Sequence, residues 1–252
     1  MSNFEKHIKG AAMTHPYIHQ EKEKIRLEIN QYLLHHSIET KSKDIRNIIE
    51  IMYRTLEFNK SLKWDKNVKS VSLVTTAKDL IEIYQLRSKI YKEMHYDREF
   101  PDPIEGLNFD LYDVHSAIVY SKSKEGITGT CRIIFDSTEN LPLDKNFSLD
   151  YLRAKGKKLA ELSRLIIDRQ TKSLSQEPRL LTLGAYTVMK KNAMTTLVSV
   201  MVEEHYKFYQ KFGGFSVEER LQTYGSLETP FIITSWEIAE ISNFFKKLFL
   251  SL

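Results

Sequence analysis

The sequence predicts an α/β fold, in which helices pack on a mixed, mainly antiparallel, twisted sheet and a helical extension precedes that sheet. Three observations lead to this class. From residue 68 onward, short apolar or β-branched runs alternate with longer amphipathic segments. Two of those runs flank a turn at residues 122–126 and therefore predict a β-hairpin. With 252 residues, 42% of them hydrophobic, the chain can build one full core and carry an appendage.

Residues 1–66 are predicted to form the helical extension. Gln20–His35 is rich in charge and spaces its apolar residues along one stripe, and Lys43–Phe58 repeats this pattern. Helices this amphipathic need a surface to lie on. The main domain, a second copy of the chain and a membrane face are the three alternatives for that surface.

Residues 67–238 are predicted to form the main domain, which begins with a strand at Val68–Thr75 and a helix at Ala77–Met94. A long acidic loop, Asp97–Asp113, follows. The later predicted elements are the hairpin strands Val114–Ser121 and Ile127–Phe135, the central strand Leu159–Asp168, helix Arg179–Asn192, strand Thr195–Met201, helix Glu203–Lys211 and strand Phe231–Trp236. Residues 239–252 are predicted to be an amphipathic helix that either caps the core or rests on a bilayer surface.

Composition narrows the class of protein. The single cysteine, Cys131, excludes an internal disulfide and indicates a reducing compartment. The first residues contain no apolar segment typical of a secretion signal, and no apolar run approaches the roughly 18 residues that span a bilayer. A net charge of +4 is too small to argue for nucleic acid binding, and no metal site is predicted. We therefore expect a cytoplasmic protein, with peripheral contact of an amphipathic helix with the inner membrane face as an open alternative.

The central strand reads Leu-Ala-Glu-Leu-Ser-Arg-Leu-Ile-Ile-Asp and places two charges, Glu161 and Arg164, in an apolar run. Burial of a charge is strongly unfavourable unless the charge is paired. One interpretation is a structural ion pair that ties this strand to its neighbour. The other is a reaction centre in which Glu161 accepts a proton or anchors a substrate.

Charged and aromatic residues recur at motif spacings along the main domain. Residues 87–91 read Arg-x-x-x-Tyr, residues 110–113 read Asp-x-x-Asp, and residues 161–164 read Glu-x-Ser-Arg. Between and after these motifs come Arg132 behind Gly-Thr, the lone Phe147 and the segment Tyr209–Phe215. Together and in this order, the motifs resemble those of the GNAT-like N-acyltransferases, in particular the branch of acyl-homoserine lactone synthases and N-acyl amino acid synthases. The resemblance extends over residues 71–238.

This resemblance implies an enzyme that moves a fatty acyl group from the phosphopantetheine thioester of an acyl carrier protein to the amine of an amino acid or related small molecule. Glu161 would accept the ammonium proton, Tyr209 would protonate the leaving thiolate, and a backbone N–H at a bulge of the central strand would stabilise the oxyanion. The residues implied in substrate binding are Arg87, Tyr91, Asp110, Asp113, Arg132, Phe147, Ser163 and Arg164. Their three arginines are expected to share one buried network with Asp110, Asp113 and Glu161.

A basic rim is expected to receive the carrier protein, because carrier proteins of this kind are acidic. Its residues are Arg153, Lys155, Lys157, Lys158, Lys190 and Lys191. The alternative interpretation of these residues is a solvated charge run without a partner.

Two departures from the family pattern bear on the substrates. The lactone synthases usually carry a tryptophan soon after the first-helix aromatic, where this chain reads Met-His-Tyr-Asp at 94–97, and this difference argues against a homoserine lactone product. The glycine-rich pyrophosphate loop of acetyl-CoA-dependent enzymes is missing in clean form, which favours a carrier-protein thioester over free CoA. No bound cofactor is expected. The alternatives are an acyl-CoA donor, an acetyl-CoA-dependent GNAT acetyltransferase, and a non-catalytic acyl-ligand binding module.

Overall fold

A seven-stranded sheet forms the centre of the part of the chain that the computed structural model describes, namely residues 15–65, 68, 71–170 and 176–250. The strands are β1 (Ser72–Leu73), β2 (Ser116–Lys122), β3 (Ile127–Phe135), β4 (Leu159–Ile167), β5 (Thr196–Val202), β6 (Phe215–Leu221) and β7 (Phe231–Glu237). The helices are α1 (His15–His35), α2 (Ser42–Ser61), α3 (Ala77–Glu93), α4 (Asp150–Ala154), α5 (Glu177–Lys191), α6 (Glu203–Tyr209) and α7 (Asn243–Phe245).

The strands lie in the order β1-β2-β3-β4-β5-β7-β6. Only β4 and β5 run parallel among these neighbours, and α5 connects them. All other neighbouring strands are antiparallel. The structure therefore confirms the predicted mixed, mainly antiparallel α/β fold.

Helices cover both faces of the sheet. On β2, Ile118 packs in a buried cluster with residues of α1, α2 and α3, whereas its neighbours Ala117 and Val119 pack in a second cluster with α5 and the C-terminal tail. This alternation follows from the pleat, which points successive side chains to opposite faces. We refer to the two sides as the α3 face and the α5 face.

The N-terminal helices lie on the main domain. Apolar residues of α1 and α2, such as Ile29 and Met52, are fully buried in the same cluster as Ile83 of α3. Asn59 of α2 bridges to the sheet: its side chain donates to the carbonyl of Ser116 at 2.9 Å and accepts from the N–H of Ile118 at 2.9 Å. Of the three alternatives for the surface under these helices, the structure therefore shows the main domain. The predicted domain boundary at residues 66 and 67 lies outside the described residues.

A bulge interrupts β4 at its midpoint. Thr130 of β3 pairs with Ile166, and Arg132 pairs with Ser163, so that two β4 residues face a single β3 residue. Arg164 within the bulge has a φ of 51°, in the left-handed region that residues other than glycine rarely adopt. On its other side, β4 pairs with β5 only from Leu159 to Leu162. Beyond that point the two parallel strands separate.

The structure differs from the sequence-based expectations in three places. Of the described residues in the strand predicted at Val68–Thr75, only Ser72–Leu73 join the ladder. Strand β6 was not predicted at all, because its sequence Phe-Ser-Val-Glu-Glu-Arg-Leu is polar. As an edge strand it buries no side chain fully, so it lacks the apolar signature of its neighbours. The segment between β3 and β4, for which no helix was predicted, contains a 3₁₀ turn at Pro142–Lys145 and the short helix α4.

The C-terminal tail caps the core. It is a short α-helical turn followed by a π-helical turn at Lys246–Leu250, and the end of the predicted helix, residues 251–252, lies outside the described residues. Phe245 and Phe249 are buried against Phe212 and Trp236. Of the two predicted roles, capping is therefore the one the structure supports. None of the helices described is long and apolar enough to cross a membrane.

We expect Asn59→Ala to lower the free energy of unfolding by about 2–4 kcal/mol, because it leaves a buried N–H and a buried carbonyl of β2 without partners. Urea denaturation measures this loss. The control is Ser61→Ala, which removes a hydroxyl that bonds only to a nearby carbonyl at an exposed position and should change stability by less than about 0.5 kcal/mol. Equal effects of the two substitutions would contradict this role for Asn59.

Candidate active site

A buried ion pair lies on the α3 face. Arg87 of α3 donates from one guanidinium nitrogen to both carboxylate oxygens of Asp113, at 3.0 and 3.2 Å. Both side chains are fully buried. Asp113 occupies the first turn of a 3₁₀ helix at Leu111–His115, and its carboxylate also accepts the N–H of Asp110 in a capping box. The ion pair therefore fixes the end of the acidic loop against α3.

Asp110 joins two further arginines to this pair. Arg132 of β3 donates to Asp110 at 2.6 Å and to Asp113 at 3.2 Å, and Arg164 of the β4 bulge donates to the other oxygen of Asp110 at 2.6 Å. Arg132 also donates from Nε to the hydroxyl of Ser163 at 2.9 Å. We call Arg87, Asp110, Asp113, Arg132 and Arg164 the charge cluster.

The charge cluster has more positive than negative groups. Three guanidiniums face two carboxylates, and Nε and Nη2 of Arg87 and Nε of Arg164 are buried without a hydrogen-bond partner among the described residues. Burial raises the pKa of the Asp110 carboxyl, but the charges and hydrogen bonds of Arg132 and Arg164 outweigh burial and hold that pKa well below its usual range. The cluster is therefore suited to an anionic group, such as a substrate carboxylate.

Glu161 lies near the charge cluster but is not part of its ion pairs. Its carboxylate is 3% exposed and accepts the backbone N–H of Leu143 at 2.9 Å. Burial raises its pKa to about 7, and the hydrogen bond from Leu143 and the charge of Arg132 only partly oppose this rise. The prediction that Glu161 shares one ion-pair network with the three arginines, Asp110 and Asp113 is therefore wrong for Glu161. The alternative interpretation, a structural ion pair that ties this strand to its neighbour, does not hold for Glu161, which makes no ion pair among the described residues, whereas Arg164 pairs with Asp110 of the acidic loop.

An apolar cavity of about 290 Å³ occupies the space where β4 and β5 separate. Its wall on the α5 face includes Leu181 and Ala185, and its far end is closed by aromatic rings of Phe212, Phe215 and Trp236. Leu165 and His205, which also line the cavity, are exposed and mark its mouth at the carboxyl ends of the two strands. The shape and lining suit a hydrocarbon chain.

Tyr209 lines this cavity, on the side of the sheet opposite to Glu161. Burial raises the pKa of its phenol, so the hydroxyl stays protonated near neutral pH and can donate a proton. Glu161 is the β4 residue paired with Val198, next to the last β4–β5 pair, Leu162 with Ser199. Glu161 and Tyr209 thus approach the point of strand separation from opposite faces.

The remaining predicted binding residues divide into two groups. Tyr91 stacks on Phe100 at 4.9 Å between ring centroids, and the guanidinium of Arg164 lies over its ring at 5.6 Å, so Tyr91 borders the charge cluster. Phe147 is different: it packs in a cluster around Leu143 and against Tyr151, and it is not among the residues that line the cavity. Phe147 therefore packs beside Leu143, which binds Glu161, and not in the cavity wall.

The predicted basic rim is misplaced. All six of its residues lie where β4 and β5 begin, and the cavity opens where they end; at about 3.3 Å per residue the separation is on the order of 20 Å. Three of them form ion pairs within the chain: Arg153 with Asp136 and Asp144, Lys157 with Glu237, and Lys191 with Asp65. The ammonium groups of Lys155 and Lys190 lie over tyrosine rings. Lys158 also lies at this far end. This placement argues against these residues as the carrier-binding surface.

Sequence reasoning missed two groups at the site. Asn108 accepts a hydrogen bond from Arg164 and donates to the carbonyl of Phe100 at 2.8 Å, so it joins the acidic loop to the bulge. Tyr224, in the connection between β6 and β7, is subject to the charges of Glu161 and Arg132. Asn108 adjoins the Asp-x-x-Asp motif and could have been noticed there. Tyr224 carries no sequence signal, because it lies in a connection that follows β6, a strand that was itself missed.

The family model described as N-acyl amino acid synthase FeeM matches residues 82–236. This chain belongs to that family. The matched span contains the charge cluster, Glu161 and both strands that enclose the cavity. The family is one of acyltransferases, so the protein is an enzyme of that class. No curated protein sequence matches the chain significantly.

Solved structures share the fold. FeeM, an N-acyl amino acid synthase from uncultured soil microbes, superposes with a TM-score of 0.53 at 19% identity, over 68% of this chain and 91% of FeeM. The acyl-homoserine lactone synthase LasI gives a TM-score of 0.51 at 17% identity, over 72% of this chain and 94% of LasI. The CoA-dependent synthase MesI gives 0.52 at 16% identity, over 72% and 93%.

We expect Asp113→Ala to lower the free energy of unfolding by about 3–5 kcal/mol, because it leaves Arg87 buried without a counter-ion. Chemical denaturation measures the loss. The control Asp150→Ala removes a carboxylate that is 83% exposed and pairs with Arg153 at 3.1 Å, and it should cost no more than about 1 kcal/mol. The apolar double variant Arg87→Met/Asp113→Leu should recover much of the loss. A small effect of Asp113→Ala alone would show that the pair is not the anchor of the cluster.

Proposed function

We propose that this acyltransferase moves a fatty acyl group from the phosphopantetheine thioester of an acyl carrier protein to the amine of an amino acid or a related small molecule. The observation that carries this proposal is an apolar cavity at the point where β4 and β5 separate, beside a buried carboxyl whose pKa is raised to about 7. That carboxyl belongs to Glu161, the chain neighbour of Leu162 in the cavity wall. The cavity would hold the acyl chain, and Glu161 would act on the amine.

The first chemical step requires a free amine. The acceptor ammonium transfers a proton to the Glu161 carboxylate, directly or through one water, and the amine nitrogen then attacks the thioester carbonyl. A base with a pKa near the working pH combines a useful ionised fraction with a useful proton affinity. Burial supplies that pKa to Glu161, which the hydrogen bond from Leu143 holds in place.

The second step breaks the C–S bond. Negative charge that develops on the carbonyl oxygen needs a hydrogen-bond donor, and the bulge leaves the edge of β4 beyond Leu162 without a β5 partner among the described residues. The backbone of this edge is the proposed oxyanion site. As the tetrahedral intermediate collapses, the C–S bond breaks, the thiolate leaves, and the nitrogen releases its second proton to solvent to become the amide N–H. Tyr209 is the proposed proton donor to that thiolate, because its phenol is protonated and lines the cavity.

The charge cluster is the proposed acceptor site. Asp110 is 33% exposed, whereas the side chains of Arg87 and Arg132 are buried. Asp110 and Arg164 are therefore the members of the charge cluster nearest to solvent. A zwitterionic acceptor would place its carboxylate toward the excess guanidinium charge and its ammonium toward Glu161. Ser163 and Tyr91 would complete this side through their contacts with Arg132 and Arg164.

A carrier protein is the preferred donor on sequence grounds. Between Asp168 and Leu183, where β4 leads into α5, the chain contains no glycine, so it lacks the flexible backbone that a pyrophosphate cradle uses. The CoA dependence of MesI, a relative in fold, makes acyl-CoA the second candidate donor. Parallel assays with the same acyl group on carrier protein and on CoA separate the two.

We expect Glu161→Gln to lower turnover by roughly 10²–10⁴-fold and to remove the acid limb of the rate profile near pH 7, because the amide cannot accept the proton. Stopped assays across pH 5–9 measure this. The control Glu139→Gln changes an exposed carboxylate and should leave the profile unchanged. Mass spectrometry of lipid extracts from cells that overproduce the wild type or Glu161→Gln identifies the product without a guess about substrates. Retention of the acid limb in Glu161→Gln would contradict the role of this residue.

The same variant should change how stability depends on pH. The native pKa of about 7 lies above the ordinary value of 4.5, so the protonated carboxyl stabilises the fold fully below pH 4.5, and this contribution is lost as the pH rises through 7. The loss is on the order of 3 kcal/mol. Urea midpoints of Glu161→Gln should therefore vary less across this range than those of the wild type. A variant that is unfolded at every pH would instead indicate a structural role.

We expect Ala185→Leu to shift the acyl preference toward shorter chains, because Ala185 is buried in the cavity wall and the larger side chain fills part of the space. Competition among carrier-bound acyl groups of different length, read out by mass spectrometry of the products, measures this shift. Ala154→Leu at an exposed end of α4 is the control. An unchanged chain-length distribution would place the acyl group elsewhere.

A further inference from the structure

The connection between β6 and β7 folds back over the candidate site. At its tip, Tyr224 and Leu227 exchange two backbone hydrogen bonds of 3.0 Å, which makes the tip a small hairpin of its own. The tip contacts the start of the acidic loop after α3. The proposed reaction assigns no role to this connection.

Glu99 holds the tip in place. Its carboxylate accepts the N–H of Ser226 at 2.7 Å. Gly225 has a φ of 57°, and a Cβ there would meet the carboxylate of Glu99. A side chain at position 225 would therefore strain the backbone and displace the Glu99 carboxylate that binds Ser226.

Tyr224 lies beside the cavity and within electrostatic range of the charge cluster. Its ring packs against Phe231 at 5.8 Å between centroids, and Phe231 lines the cavity. Burial raises the pKa of its phenol to about 12, and the charges of Glu161 and Glu99 add to the rise while that of Arg132 opposes it. The hydroxyl is thus protonated at neutral pH, and the residue is only partly buried.

We propose that Tyr224 is a positioning residue of the acceptor site, where its phenol contacts the bound amine acceptor and its ring separates the acceptor from the acyl cavity. The tip latched by Glu99 then forms the outer wall of the acceptor site and limits the size of the acceptor side chain. This inference rests on the proposed function. The acceptor class it implies is a small amino acid or similar amine with an adjacent carboxylate.

The contacts of Tyr224 favour this role over a purely structural one. Its ring touches a cavity-lining residue, and its hydroxyl is subject to one charge of the cluster and to the candidate base, Glu161. The neighbouring tip residues at 222–223 and 225–226 are exposed, so the tip contributes little to the core. A phenol placed in this way is available to a ligand that enters from solvent.

The test compares Tyr224→Phe, Tyr224→Ala and the control Thr223→Ala, an exposed neighbour in the same connection. The assay uses acyl carrier protein loaded with a dodecanoyl group as donor, with single amino acids for kinetics and an equimolar mixture of amino acids for selectivity. We expect Tyr224→Phe to raise the KM for the acceptor roughly ten-fold, the loss of one hydrogen bond, while the KM for the donor stays unchanged. Tyr224→Ala should in addition shift the product mixture toward amino acids with larger side chains. Thr223→Ala should behave as the wild type.

Two results would overturn the inference in distinguishable ways. If the wild type forms amide and Tyr224→Phe leaves both the acceptor KM and the product mixture unchanged, Tyr224 has no role in the acceptor site although the proposed function holds. If the wild type forms no amide with any amino acid or amine offered, the acceptor assignment itself fails, and the role of Tyr224 fails with it. Because Tyr224→Phe retains the ring packing on Phe231, its result counts even where Tyr224→Ala folds poorly.

Discussion

The separation of β4 from β5 is the constraint on which the site depends. Two parallel strands that stop pairing after Leu162 and Ser199 expose backbone groups that a sheet normally satisfies. The structure offsets this cost locally: the β4 bulge redirects the chain, and the arginine within it is anchored by Asp110 and Asn108. The opened space is bounded by aromatic rings rather than filled by them, so it remains a cavity. The proposed site of the acyl donor thus lies where the sheet itself is incomplete.

The Asp-x-x-Asp spacing has a geometric reason in this chain. Asp110 is the N-cap of a short 3₁₀ helix and Asp113 lies in its first turn, so each carboxylate accepts a backbone N–H of this turn. Because that local structure fixes both side chains on the same side of the turn, they meet the arginines of three separate elements. A different spacing would break the capping box and scatter the cluster. The motif is therefore as much a folding device as a binding one.

Much of this arrangement followed from the sequence because charges in apolar runs must be paired. Glu161, Arg132 and Arg164 were conspicuous for that reason, and their strands were predicted with nearly the observed bounds. The predictions that were wrong concerned features that only the three-dimensional structure shows. Strand β6 is polar on an edge, the lysines before β4 look like a docking rim until the sheet shows which end opens, and only contacts show that Glu161 stands apart from the ion pairs. Residue type therefore predicted which residues belong to the candidate site, whereas strand register and burial decided how each of them is paired.

The environments of Asp110 and Glu161 divide the work of the site. Both carboxylates are largely buried within reach of Arg132, yet the pKa of Asp110 is held far below its usual range while that of Glu161 rises to about 7. Direct bonds to two arginines keep Asp110 ionised, so it can anchor but cannot exchange protons near neutral pH. Glu161 accepts one backbone N–H and forms no ion pair among the described residues, so it can exchange a proton near neutral pH. In the proposed reaction, an acceptor ammonium held between them would lose its proton to Glu161 on the α3 face, the side on which Ser163 and Arg164 border the cavity.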